Sequence, residues 1–175
     1  MIFPDIDLAS PAHIDQAVID GKADMGISSS SRRTHNLRFY DVKEEMVGLY
    51  CGQGHPLFKA PDRALSLEKV LRYDFVRAHG YYYPKKILRV LQGRHSASCI
   101  PLDGRALLIA TGHYLGIMAE EFAQPYVAKG LLREIMPDVF RYSNRLSLIT
   151  RQDSANPALA KLIDILEDEL VPLPA

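Results

Sequence analysis

The sequence predicts an α/β protein, and three observations carry that expectation. Short apolar runs with the two-residue rhythm of strands alternate with segments of helical period along the whole chain. Several helical segments close on a glycine (Gly21, Gly93, Gly112), the residue that accepts a left-handed stop. Hydrophobic residues make up 47% and charged residues 24% of 175, a balance that supports a core of ordinary globular size. Strands separated by helices need crossover connections, which predicts mixed, mostly parallel sheets.

The elements follow in order. "DIDL" (5–8) alternates like a strand. "SPAHIDQAVIDG" reads as a helix with Ser10 as N-cap, Pro11 in the first turn and Gly21 as stop. Ile14, Ala17 and Val18 form its apolar stripe. "ADMGIS", "LRFYDV" and "EMVGLYC" read as three strands, and "SLEKVL" as a short helix capped by Ser66. "YDFVRA" is a strand, "YPKKILRVLQG" a helix entered through Pro84, "ASCI" a strand and "DGRALLIATG" a helix. "YLGIM" and "LLREI" are strands flanking "EEFAQPYVAKG", a helical turn or two broken by Pro125. "RLSLITR" is the last strand. "NPALAKLIDILEDEL" is the most strongly periodic helix, capped by Asn156, with its stripe at Leu159, Leu162, Ile163, Leu166 and Leu170.

Composition excludes several functions. Lysine plus arginine and aspartate plus glutamate are 21 each, so bulk electrostatics give no grip on a phosphate backbone. Cys51 and Cys99 lie inside apolar runs and read as free thiols in a reducing, cytoplasmic setting rather than as a disulfide. No apolar run approaches the ~18 residues of a membrane span, and the N-terminus "MIFPDIDLAS" has no signal-peptide character.

The catalytic motifs are weak. "YCGQGHPLF" (50–58) has two glycines, but no lysine follows them, and the third glycine of a dinucleotide fingerprint is missing. The six histidines (13, 35, 55, 79, 95 and 113) show no metal-ligand spacing, so packing or surface roles are expected and no metal or cofactor is predicted. Ser28 to Ser31 with Arg32 and Arg33 read better as a solvated loop than as an anion nest. "GYYYP" (80–84) leaves two readings open: tyrosine faces and hydroxyls for a small ligand, or partial burial in a core. Nucleophile, base and oxyanion hole are nowhere assembled, so no catalytic residue is expected and the chain is not read as an enzyme.

Four landmarks, in this order, resemble one family. "VIDGKADMGIS", "MVGLYCGQGHPLF", "ALLIATGHYLGIMAEEFA" and "KGLLREI" followed by "LSLITR" and a helix are similar to segments of the effector-binding domain of LysR-type transcriptional regulators. The usual Leu-Pro of the third segment is here Met118-Ala119. The resemblance covers nearly the whole chain.

It implies a two-lobed, periplasmic-binding-protein-like fold with two hinge crossings. Residues 1–54 and 143–175 would form lobe I and residues 55–142 lobe II, with Gly52 to Gly54 as one hinge and Tyr142 to Leu146 as the other. It implies a small-molecule effector held between the lobes, an organic acid or similarly polar metabolite, by Ser10, His13, Gly52, His79, Tyr81, Tyr82, Ser98 and Ile100. A homodimer or tetramer is implied, touching DNA only through an N-terminal winged helix-turn-helix that has no counterpart here. The chain begins at what resembles the family's second strand, so association through lobe I is expected to complete its sheet. The rival reading is the solute-binding protein of a transporter, whose fold is related.

Overall fold

The computed structural model describes residues 5–29, 34–77, 82–166 and 171–172. In chain order they form α1 (Pro11–Ile19), β1 (Met25–Ser28), β2 (Leu37–Gly52), a 3-10 turn (Asp62–Ala64), α2 (Leu67–Val70), β3 (Asp74–Arg77), α3 (Lys85–Leu91) and β4 (His95–Ser98). There follow α4 (Leu102–Ala110), β5 (Tyr114–Ala119), α5 (Glu120–Ala128), β6 (Leu132–Glu134), α6 (Pro137–Phe140), β7 (Tyr142–Arg151), α7 (Pro157–Leu166) and β8 (Val171–Pro172). The chain divides into two compact units. Unit 1 holds residues 1–44, 80–82 and 145–175, and unit 2 holds residues 45–79 and 83–144.

In unit 1, β1 pairs antiparallel with β7 from Met25↔Thr150 to Ser28↔Ser147. The start of β2 pairs antiparallel with β8. α1 packs on β1 so closely that a Cβ on Gly26 would collide with the Ile14 side chain. Val18, Leu37 and Ile149 form the core here. Asn156 caps α7 as expected, its Oδ1 accepting the Ala158 amide at 3.0 Å.

Unit 2 is a sheet in the order β2-β5-β3-β4, with β6 also on β2. Residues along its strands alternate between two apolar clusters, as the pleat requires. Val47, Leu49, Cys51, Phe75, Leu115 and Ile117 fall in one, and Tyr50, Val76 and Met118 in the other. α2 and α3 cover the first cluster through Val70, Ile87 and Leu91, while α4 and α5 cover the second through Ala106, Ile109 and Ala123. Ser66 caps α2 by accepting the Lys69 amide at 3.2 Å.

Several expectations need correction. "DIDL" is not a strand: it has no partner among the described residues, and Ile6 and Leu8 stand 80% and 81% exposed. The runs at 37–42 and 45–51 are one 16-residue strand, because Lys43 and Glu44 continue the extended backbone between them. The strand placed at 97–100 lies at His95–Ser98, since the bulged parallel pairing with β3 ends at Arg77↔Ser98 and the chain then turns toward Pro101. Pro125 does not break its helix: α5 runs straight through it and forgoes one backbone hydrogen bond. The sheet is mixed, but parallel pairing does not predominate. Among the described pairs it is confined to β3–β4 and β3–β5, because the long β2 takes antiparallel neighbours.

β2 leaves unit 1 between Glu44 and Glu45, and β7 re-enters it between Asn144 and Arg145. Just inside unit 2, buried Asn144 donates to Glu45 Oε1 at 2.7 Å. Gly52 to Gly54, expected as a hinge, lie well within unit 2 and are glycines for a packing reason given below.

Candidate functional site

In unit 1 the sequence Ser-Pro at the start of α1 places two of the expected site residues. Ser10 is extended and buried, and its carbonyl accepts the amides of His13 and Ile14 at 2.9 Å. Its hydroxyl does not cap the helix. It meets His13 Nδ1 at 2.8 Å instead, so the two candidates are joined to each other. At the end of β1, Ser28 and Ser29 are buried, and the Ser29 hydroxyl finds no partner among the described residues.

In unit 2, Ser98 closes β4, and Cys99 to Pro101 lead into α4. The Cys99 amide donates to the Arg77 carbonyl at 3.0 Å, continuing the pairing of β3 with β4 for one residue. Ser98 is exposed and Ile100 is 37% exposed, both just before the first turn of a nine-residue helix. The leading amides of that helix favour negative charge. Gly104 is glycine for want of room, since a Cβ there would come within 2.6 Å of Cys99 Sγ.

Arg105 is the residue that sequence reasoning missed. It is 1% exposed and donates to the carbonyls of Ile117 at 3.0 Å and Ile100 at 3.4 Å. It thus ties the Ile100 loop to β5 and fixes where the candidate side chains stand. The signal was present: Arg105 lies three residues after Leu102 and four before buried Ile109, on the inward stripe of its own helix.

The two described tyrosines of this stretch differ in burial. Tyr83 packs partly buried against the first apolar cluster, whereas Tyr82 is 44% exposed just before α3. His79 and Tyr81 lie outside the described residues, as do Ser30 to Arg33.

Gly52 is not placed beside Ser98 and Ile100. A Cβ on it would strike the Ile109 carbonyl oxygen and come within 3.0 Å of Ala110 Cα, at the far end of α4. At roughly 1.5 Å per helical residue, that is about 13 Å from the helix start. Gly112, at φ 77°, completes the junction: its Cβ would lie 2.7 to 2.9 Å from the backbone of Gly54 and His55. Gly52, Gly54 and Gly112 therefore let the end of β2 and the turn after α4 touch backbone to backbone.

The turn that follows is stapled. His55 is buried, its Nδ1 accepts the Leu57 amide at 3.1 Å, and its ring stands edge-on to Tyr73 with centroids 4.6 Å apart. Burial holds its pKa below the usual imidazole value. Arg133 of β6 donates to the carbonyls of Leu57 at 3.2 Å and Phe58 at 2.8 Å, to that of Ala60, and to Asp62 Oδ1 at 2.9 Å. Beside them burial pushes the Cys51 thiol up to about 12, which leaves it protonated and unreactive at neutral pH. Among the described residues no group of three or more His, Cys, Asp or Glu side chains could hold a metal ion.

Known proteins identify this arrangement. The family model described as the LysR substrate binding domain matches residues 4–171. The HTH-type transcriptional activator BauR of Pseudomonas aeruginosa is 32% identical over 152 residues, which are 84% of this chain and 48% of BauR. The chain thus spans about half the length of that relative. The cofactor-binding domain of the Cbl transcriptional regulator superposes with a TM-score of 0.67 at 18% identity, covering 90% of this chain and 71% of that one. Full-length LysG from Corynebacterium glutamicum with bound effector Arg gives 0.64 at 16% identity, over 93% of this chain and 56% of that one. These likenesses show a two-lobed, periplasmic-binding-protein-like fold. With a family model spanning nearly its whole length and a relative above 30% identity, this chain belongs to the LysR substrate-binding-domain family of transcriptional regulators.

Proposed function

We propose that this chain is the sensing domain of a cytoplasmic transcriptional regulator, taking up a small organic acid or similarly polar metabolite and working as a homodimer or tetramer. The observation that carries the reading is the family match over residues 4–171. Two polar features of the units support it. Ser98 and Ile100 stand at the start of α4, braced by Arg105, where helix amides favour a carboxylate. Ser10, His13 and the unsatisfied hydroxyl of Ser29 supply polar groups in unit 1. Tyr82, with His79 and Tyr81, completes the proposed contacts, while Gly52 has a packing role in this reading. The effector acts by binding one arrangement of the regulator better than another, which shifts the population toward it. DNA contact belongs to a winged helix-turn-helix outside the residues matched here, and the sensing domain alone contributes none.

A thermal-shift screen of amino acids and organic acids against the 175-residue chain tests this. The arginine held by LysG and related amino acids enter the screen first. A true effector raises the melting midpoint in proportion to the logarithm of its concentration. Tyr82→Ala and Ser98→Ala should each weaken it by about 1–3 kcal/mol, the usual cost of losing a polar partner. Unchanged affinity in both variants moves the site elsewhere. A catalogue of metabolites that leaves the midpoint unmoved overturns the sensing role of this chain.

A further inference from the structure

Beyond the sensing role, the turn that carries "GHPLF" combines features that a merely structural bend does not need. Its histidine is 4% exposed, a burial unusual for a group that ionises near neutrality. Because Nδ1 accepts the Leu57 amide, the ring proton sits on Nε2, and that nitrogen has no hydrogen-bond partner. Nδ1 is therefore the nitrogen left to take up a second proton. Protonation there turns the acceptor facing the Leu57 amide into a donor, so the staple is lost at the same moment that a charge is buried.

Among the described residues, the groups near that nitrogen are an aromatic ring, an ion pair, a thiol and a second imidazole. Tyr73 presents its ring to His55. Arg133 already places a cation on the carbonyls of Leu57, Phe58 and Ala60, and its counter-ion Asp62 is committed to it and to the Met136 amide at 3.3 Å. Cys51 is held as the neutral thiol. Across the glycine junction, His113 follows Gly112 and engages the Thr111 carbonyl at 3.2 Å. Burial is what holds the His55 ring below its ordinary value.

We propose that residues 55–62 form an acid-labile latch on unit 2, with His55 as its proton sensor. Closed, the latch buries Leu57 completely and seats Phe58 and Ala60 against the first apolar cluster. The sign follows from linkage. The closed turn holds His55 below its ordinary value of 6.5, so above that pH the ring is neutral in both closed and open states and the latch is fully stable. As pH falls below 6.5 the open state binds the proton first, and opening is favoured until the closed form titrates as well.

Hydrogen exchange of the full 175-residue chain between pH 8 and 5 tests this, with intrinsic rates divided out. Protection of the amides at 57–60 should fall by up to about tenfold per pH unit below the ordinary histidine range, the limit set by one proton. His55→Asn keeps an acceptor for the amide two residues on but cannot be protonated, so its protection should be level across that range. Wild-type protection that follows the same pH course as His55→Asn overturns the proposal. If the variant fails to fold, the wild-type His55 ring is titrated by NMR. Titration in the ordinary histidine range with the 57–60 amide resonances unmoved overturns the proposal equally. A depressed titration that moves those amides supports it.

Discussion

Unit 2 buries Phe75, Phe140, Leu49, Leu57, Leu115 and Ile135 to within 1% of complete exclusion, and packs them with their neighbours in one cluster. A second cluster lies on the opposite side of its pleat. Unit 1 assembles its core around Val18, Leu37 and Ile149, while Ile6, Leu8, Ile27 and Ile165 all stay more than half exposed. Its β7 even spends buried positions on Ser147 and Thr150. Both units use the same kinds of element. The difference lies in how many large apolar side chains each encloses among the described residues, and burial of apolar area is the main stabilising contribution to folding. Cooperative stability is therefore expected to reside in unit 2, with unit 1 the part whose order depends more on what it meets.

The largest effect expected is from Phe140→Ala, which empties a fully buried site of unit 2 and should cost about 3–5 kcal/mol in denaturant unfolding. A loss under about 1 kcal/mol would place the two units on an equal footing. Next comes Gly52→Val, whose side chain must displace the backbone of α4. Overpacking of this kind costs about 1–3 kcal/mol or more. Near-normal melting of that variant would show that the glycine junction is slack. Arg133→Met should cost about 1–3 kcal/mol, because three carbonyls and Asp62 lose one shared donor. Hydrogen exchange should find its new openings at 57–62 first. At the small end, Leu8→Ser should change stability by no more than about 0.5 kcal/mol, since the side chain is already 81% exposed. A marked loss there would mean that unit 1 meets a partner through this segment in solution.

The same contrast governs how far the sequence could be read. In unit 2, glycine stops, the Ser66 cap and alternating apolar runs all act locally, so elements such as β5 and α4 are visible in their own residues. "DIDL" alternates just as well, yet with no pairing strand among the described residues it forms no strand, because pairing is a property of two segments. Pro125 shows the converse: tertiary packing of Ala123 and its neighbours outweighs a local breaker. For the site, the family's motifs pointed to Ser10 and His13, which stand at the start of α1, and to Ser98 and Ile100, at the end of β4 and in the turn that leads to α4. Gly52 makes room for the Ile109 carbonyl, and a glycine's sequence does not say whether it yields room to a ligand or to such a neighbour. Arg105 was passed over because charge suggested surface, although its helical phase already pointed inward.

The two free cysteines have a practical consequence. Cys51 is sealed in unit 2 with its thiol held protonated, whereas Cys99 is only partly buried, one residue beyond Ser98. A maleimide dye added at neutral pH should therefore mark the natural chain at a single position, without any engineered cysteine. That position lies at the entrance to α4, so under the proposed placement of the effector the emission of an environment-sensitive fluorophore there should change on binding. The domain carries its own attachment point for an optical test of that placement.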